Sequence, residues 1–168
     1  MAGQVGQVDF PSKCNYNGYN KRVNALKISS RFSVAVHILS LLAIAKDAHC
    51  TSEWIAQSVN THPVVIRRIL GMLKKAGFVK IPKGSGGAYL IKDLDDITLL
   101  DVYRAVDAVP GGELFQFHEH PNPACPVGGN IEAVLQLILL RAQAAMEQIL
   151  ADVTMEQLVE NLNEKIGS

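Results

Sequence analysis

Residues 51–80 read TSEWIAQSVNTHPVVIRRILGMLKKAGFVK. Thr51 and Ser52 are residues whose side-chain oxygen can cap a helix. Trp54, Ile55 and Val59 then give a short helix its apolar side. Asn60, Thr61 and His62 form a turn. Pro63 suits the first position of a new helix, where its missing N–H would have no partner anyway. That helix is expected from Val64 to Ala76, with Gly77 as its stop. On a helical wheel Ile66, Ile69, Leu70 and Leu73 share one face, which predicts the core side. Val64, Arg67, Arg68, Gly71 and Lys75 share the opposite face, with Lys74 beside it. A short helix, a turn and a basic amphipathic helix, in that order, predict a helix-turn-helix.

The segments on either side extend the pattern. Upstream, Ser29 or Ser30 is a candidate cap for a helix to Ala45, with Ala35, Ile38, Leu39 and Leu42 at helical spacing. Apolar residues on its other faces predict burial nearly all round. Downstream, Phe78–Ile81 and Ala88–Ile91 are short strand signals around the glycine-rich turn Pro82–Gly87, which predicts a hairpin. A hairpin directly after a helix-turn-helix makes a winged helix. Thr98 with Asp101 has the capping-box spacing and opens a fourth helix through Val102, Tyr103 and Val106, ending near Pro110. A long helix is expected from Gly129 to about Ala151. Thr154 with Gln157 caps a last one carrying Leu158, Leu162 and Ile166.

Bulk properties fit one ordinary domain or a small domain with an appendage: 168 residues, 48% of them hydrophobic. The net charge is zero, yet the charges are segregated. Residues 20–92 hold twelve Lys and Arg against two acids, Asp47 and Glu53, while residues 93–168 hold three against thirteen. The first half suits a polyanion and the second would be repelled by one. An Arg on the exposed helix face can donate two hydrogen bonds to guanine in the major groove. Lys74, Lys75, Lys80 and Lys83 are better placed to meet phosphates. The expected partner is double-stranded DNA.

The three cysteines, Cys14, Cys50 and Cys125, are too sparse for a disulfide framework. No signal peptide is visible, and the apolar stretch from Val34 to Ala45 is too short to span a bilayer. A soluble, cytoplasmic protein without a membrane partner is expected.

The acidic half carries a heptad seam. Ile131, Leu135, Ile138, Ala142, Ala145 and Ile149 recur at alternating spacings of four and three in the long helix. One seam of this kind suits pairing with its twin, so a homodimer is expected. Ahead of this helix lies HEHPNPACPVGG, residues 118–129. His118, His120 and Cys125 suggest a metal site, but this spacing is not a tight zinc signature. Pro126 fits the first turn of the long helix, which would put Cys125 near its N-cap, where a thiolate is favoured. Cys125 is therefore the candidate sensor, with a plain structured turn as the competing reading. Catalytic residues are expected to be absent. A Cys/His nucleophile needs an orienting group and an oxyanion hole, and Glu119 and Asn122 in a proline-stiffened loop do not make a cleft. KGSGG (83–87) has no GK[ST] opening a helix, so it is no phosphate-binding loop.

Three stretches together resemble the Rrf-two family of bacterial winged-helix regulators. They are KISSRFSVAVHILSLLA (27–43), residues 51–80, and GSGGAYLIKDLDDITLLDVYRAVD (84–107). The likeness covers roughly residues 27–165. It implies a homodimer on a pseudo-palindromic operator, usually a repressor. By position it implies base reading by Val64, Val65, Arg67 and Arg68. It places the wing on Lys83, Gly84, Ser85, Gly86 and Gly87, and a phosphate contact on Arg31. Family members begin just before ISSR, so residues 1–26 are a departure, and Leu26 is a candidate native start. Cluster-binding relatives have three closely spaced cysteines before the long helix. This chain has only Cys125, matching the last, so neither an iron–sulfur cluster nor another cofactor is expected. Those relatives also have mostly small or polar residues where this chain has Val64 and Val65, so their operator does not transfer.

The expected fold is mainly α with a small β-hairpin wing: a winged helix-turn-helix plus a long dimerisation helix. Residues 1–27 are expected to form a flexible extension, 28–96 the DNA-binding domain, and 97–168 a helical dimerisation and sensing region. The expected function is sequence-specific transcriptional regulation. The alternatives are a Cys125 redox sensor or a metal or iron–sulfur sensor controlling DNA binding, and a partner-binding module that has lost DNA recognition.

Overall fold

Helix α1, Arg31–Ile44, is the axle of the molecule: Ala35, Ile38, Leu39, Leu42 and Ala43 are all buried on it. The computed structural model describes residues 30–45, 49–84, 87–109, 114–115, 117–118 and 120–167. The N-terminal extension with Cys14, the cap candidate Ser29, wing residues Ser85 and Gly86, Pro110 to Gly112 and Glu119 lie outside them. Ser30 does not cap α1 through its side chain. Its backbone is already helical (φ −54°, ψ −11°), a geometry in which the hydroxyl is not presented to the first-turn amides. The buried Ser40 satisfies its hydroxyl by donating to the Val36 carbonyl at 2.9 Å.

Helix α2, Ser52–Val59, starts where expected, with the Thr51 side chain accepting from the Trp54 amide. It ends at Asn60, whose left-handed backbone (φ 55°) turns the chain. Helix α3, Pro63–Lys75, begins on Pro63, and the His62 ring is its cap, accepting from the Val64 amide. Its end is a Schellman motif: Phe78 N–H reaches the Leu73 carbonyl, Gly77 N–H reaches that of Lys74, and Gly77 takes φ 80°.

Strands β1, Val79–Lys80, and β2, Tyr89–Leu90, are antiparallel, with Val79 opposite Leu90 and Lys80 opposite Tyr89. They are shorter than the expected four-residue strands. The ladder runs out of donors at both ends: the Phe78 amide is taken by the Leu73 carbonyl at the end of α3, and Pro82 has no N–H to give. On its outer side, away from β1, the Ala88 amide donates to the Cys50 carbonyl at 3.0 Å. Gly87 permits this approach: a Cβ there would lie 2.4 Å from the Cys50 nitrogen. The wing is thus pinned at its base to the start of α2.

After a short 3-10 turn at Leu94–Asp96, helix α4, Leu99–Ala105, opens on the expected capping box of Thr98 and Asp101. The long helix α5, Ile131–Ala151, runs out, and α6, Met155–Ile166, returns on a second capping box, Thr154 with Gln157. The two box regions are stitched together: Leu99 N–H donates to the Val153 carbonyl and Met155 N–H to that of Ile97. Met155 and Val159 are buried in the same cluster as Ile38, Ile55, Ile66 and Val102. Helix α6, from the acidic half of the sequence, therefore completes the core under the basic half.

Candidate nucleic-acid interface

Amphipathicity orients α3. Ile66, Ile69, Leu70 and Leu73 are at most 3% exposed and anchor it to the core. Arg67, Arg68, Lys74 and Lys75 stand exposed on the other side, as do Val64 (57%) and Val65 (40%) at its N-terminal end. Gly71 lies on this outer face too, and a Cβ there would meet nothing within 4 Å. Lys83 is exposed in the hairpin turn. Arg31, in the first turn of α1, is half-buried. Gly87, half-buried at the base of the wing, sits against the Cys50 backbone. The outer face of α3 and the hairpin thus lie on consecutive elements.

One partner was missed from sequence. The Arg67 guanidinium donates to the Glu53 carboxylate of α2, and both side chains are more than half exposed. The Glu53 carboxyl lies below its usual range, first because of its own backbone amide and then because of Arg67. No periodicity signals a pair separated by a turn between two helices. Arg68 makes no such pair among the described residues.

The loop before α5 is a self-contained turn. Asn122 Oδ1 accepts from the Ala124 amide, the Asn122 carbonyl from Cys125 N–H, and the Cys125 carbonyl from Gly129 N–H. Gly128 closes it, since a Cβ there would lie 2.5 Å from the Asn122 oxygen. The helix begins only afterwards, with Asn130 as N-cap. This corrects the expectation that Cys125 sits near that cap: the turn uses up residues 122–129 before the helix can start. Cys125 is half-buried, and His118 and His120 are exposed. Among the described residues, no three His, Cys, Asp or Glu side chains gather as a metal site.

Helix α5 has no buried residue. Its inner side, with Met146 and Leu150, packs against the core. Glu147 accepts from Arg104 of α4 and from Gln143, and these bonds, Gln143 first, lower its carboxyl from the usual range. Of the expected seam, Leu135, Ile138, Ala142, Ala145 and Ile149 are exposed and Ile131 is half-buried. Val134, Leu137 and Leu140 are exposed as well, so the bare apolar surface is wider than the seam. By length and composition alone α5, unlike the shorter apolar stretch Val34–Ala45, could cross a bilayer.

Comparison with known proteins places these features in a family. The Rrf2 family model, described as an iron-dependent transcriptional regulator, matches residues 28–161. A candidate HTH-type transcriptional regulator of Bacillus subtilis (strain 168), YwnA, is 47% identical over 135 residues, covering 80% of this chain and 98% of that protein. A crystal structure of a candidate DNA-binding protein is 43% identical with a TM-score of 0.61, covering 77% and 98% of the two chains. A candidate transcriptional regulator from Lactobacillus plantarum is 29% identical with a TM-score of 0.66, covering 80% and 90%. The iron in the family's description meets a poor donor set here. The loop offers one thiol, and His118, His120 and Cys125 do not gather into a ligand set among the described residues.

Proposed function

Because this chain belongs to the Rrf2 family of transcriptional regulators, we propose that it binds a pseudo-palindromic operator in double-stranded DNA as a homodimer and represses transcription there. The carrying observation is the outward face of α3, with four cationic side chains over a fully buried apolar face and a wing directly after it. A helix of this kind fits the major groove, with its N-terminal residues at the base edges. Lys74, Lys75, Lys83 and Arg31 supply phosphate contacts. In this reading residues 28–96 bind DNA, and residues 97–168 carry dimerisation and sensing while α6 braces the core. The test is binding of the full chain to its own promoter across a salt series. Affinity falling steeply with salt, with preference over unrelated duplex, is expected because phosphate contacts release counterions. A flat response would overturn the reading and favour a partner-binding module.

The exposed apolar faces of α5 support the homodimer. Helix α5 is tied to α4 through Arg104 and Glu147, which favours a second copy over lipid as its cover. Pairing along α5 would set two α3 helices about one DNA turn apart, ~34 Å. Cytoplasmic location follows from this reading.

No resident cofactor is required. Cys125 stays the candidate sensor by position, between the DNA-reading and dimerising parts, but without a helix N-terminus to activate it. Thiol labelling against pH is the test. A midpoint near that of an ordinary thiol, ~8.5, would remove Cys125 from consideration.

A further inference from the structure

We propose that Val64 and Val65 read thymine, through its 5-methyl group, in each half-site; the inference rests on the DNA-binding reading above. Both valines lie in the first turn of α3, the part of a recognition helix that meets base edges. They are 57% and 40% exposed, so each leaves a large part of its apolar surface open to an external partner. Cations share the helix: Arg68 is exposed one turn on, and Lys74 and Lys75 are exposed in its last turn. That combination suits a polyanion carrying an apolar group at its recognition surface.

Of the four bases only thymine presents a methyl group in the major groove. Valine has no donor or acceptor beyond its backbone. Against guanine O6 and N7 or the cytosine amino group it would bury polar atoms without a partner, so it rejects those bases as well as attracting thymine. Gly71 adds an independent observation. Glycine in a helix interior is unfavourable relative to alanine, yet nothing in this chain crowds the position. A bare backbone on the outer face instead allows close approach by an external surface, which seats the first turn deep in the groove. Arg67 is held by Glu53, leaving Arg68 as the guanidinium beside the valines for a neighbouring guanine or phosphate.

The experiment uses the full chain and a random duplex library. Recovered sites are synthesised with each thymine replaced singly by deoxyuridine, which removes only the methyl group. Affinity is expected to fall about fourfold per contacted methyl, the factor for uncovering one apolar carbon group. In the Val64→Ala, Val65→Ala variant that penalty is expected to shrink, with a cooperative thermal unfolding transition retained because neither side chain belongs to the buried core. Cytosine in place of a contacted thymine costs more than uridine, and 5-methylcytosine recovers part of the loss. Deoxyuridine without effect at every position of an enriched site would overturn the thymine inference and leave DNA reading standing. So would a penalty that persists undiminished in the variant. Recovery of no preferred sequence would overturn both.

Discussion

Arg67 and Arg68 are neighbours in sequence and differ in circumstance. Arg67 is engaged by Glu53, whereas Arg68 has no such partner among the described residues. Replacing Arg68 by Ala is expected to weaken binding to the preferred site by ~1–3 kcal/mol if it reads a base. An equal loss on every sequence would make it a phosphate contact instead; titrations on preferred and scrambled duplexes separate the two. Glu53→Gln is expected to act in the opposite direction. It releases Arg67 and removes a negative charge beside the binding face, so affinity for any duplex rises and its salt dependence steepens, by about one in slope if Arg67 gains one phosphate. An unchanged salt slope would mean that Arg67 stays off the DNA. The exposed arginines were legible from the helical period, because side chains three and four apart share a face. Their pairing was not, because Glu53 belongs to a different helix.

At the scale of elements, caps and stops were the most legible features. Thr51, Pro63, Gly77, Thr98 with Asp101 and Thr154 with Gln157 all act where local chemistry placed them. Each is settled by atoms within a few residues. The exceptions arise where a competing partner intervenes or a donor is missing. Residues 78–81 and 88–91 signal longer strands, but Leu73 takes the Phe78 amide and Pro82 has none to give. Pro126 suits a helix start, yet the Asn122–Gly129 turn closes first. Helix α3 offers a test that separates folding from function. Gly71→Ala is expected to raise stability by up to ~1 kcal/mol, since the helix interior favours alanine and the site is open. The same change is expected to weaken DNA binding by holding the helix away from the groove. Thermal unfolding and duplex titration of one variant give both readings. Unimpaired binding would show that the outer face does not approach DNA at Gly71.

Across the whole molecule the charge segregation and the connectivity pull in different directions. The basic and acidic halves are separate in sequence, but α6 returns from the acidic half to bury Met155 and Val159 beneath α1. Helix α5 is left projecting, with Leu137 69% and Ile138 56% exposed. Leu137→Asp with Ile138→Asp is expected to leave the core folded, because neither residue touches it, and to convert a dimer into a monomer. Sedimentation measures the state, and operator affinity should fall with it because two linked half-site contacts become one. A variant that stays dimeric would place the interface elsewhere. If the wild-type chain instead floats with lipid vesicles, α5 faces a bilayer and the homodimer reading fails.

Sequence alone determined the order of the helices and hairpin, the buried face of α3, the caps at Thr51, Thr98 and Thr154 and the basic outer surface. These depend on residue spacing and on hydrogen bonds spanning a few positions. Only the tertiary structure decided that Glu53 holds Arg67, that Cys50 receives the Ala88 amide and that α6 closes the core. Those outcomes depend on which distant backbone groups and side chains come within hydrogen-bonding or packing distance once the chain is folded, and residue spacing carries no record of that competition.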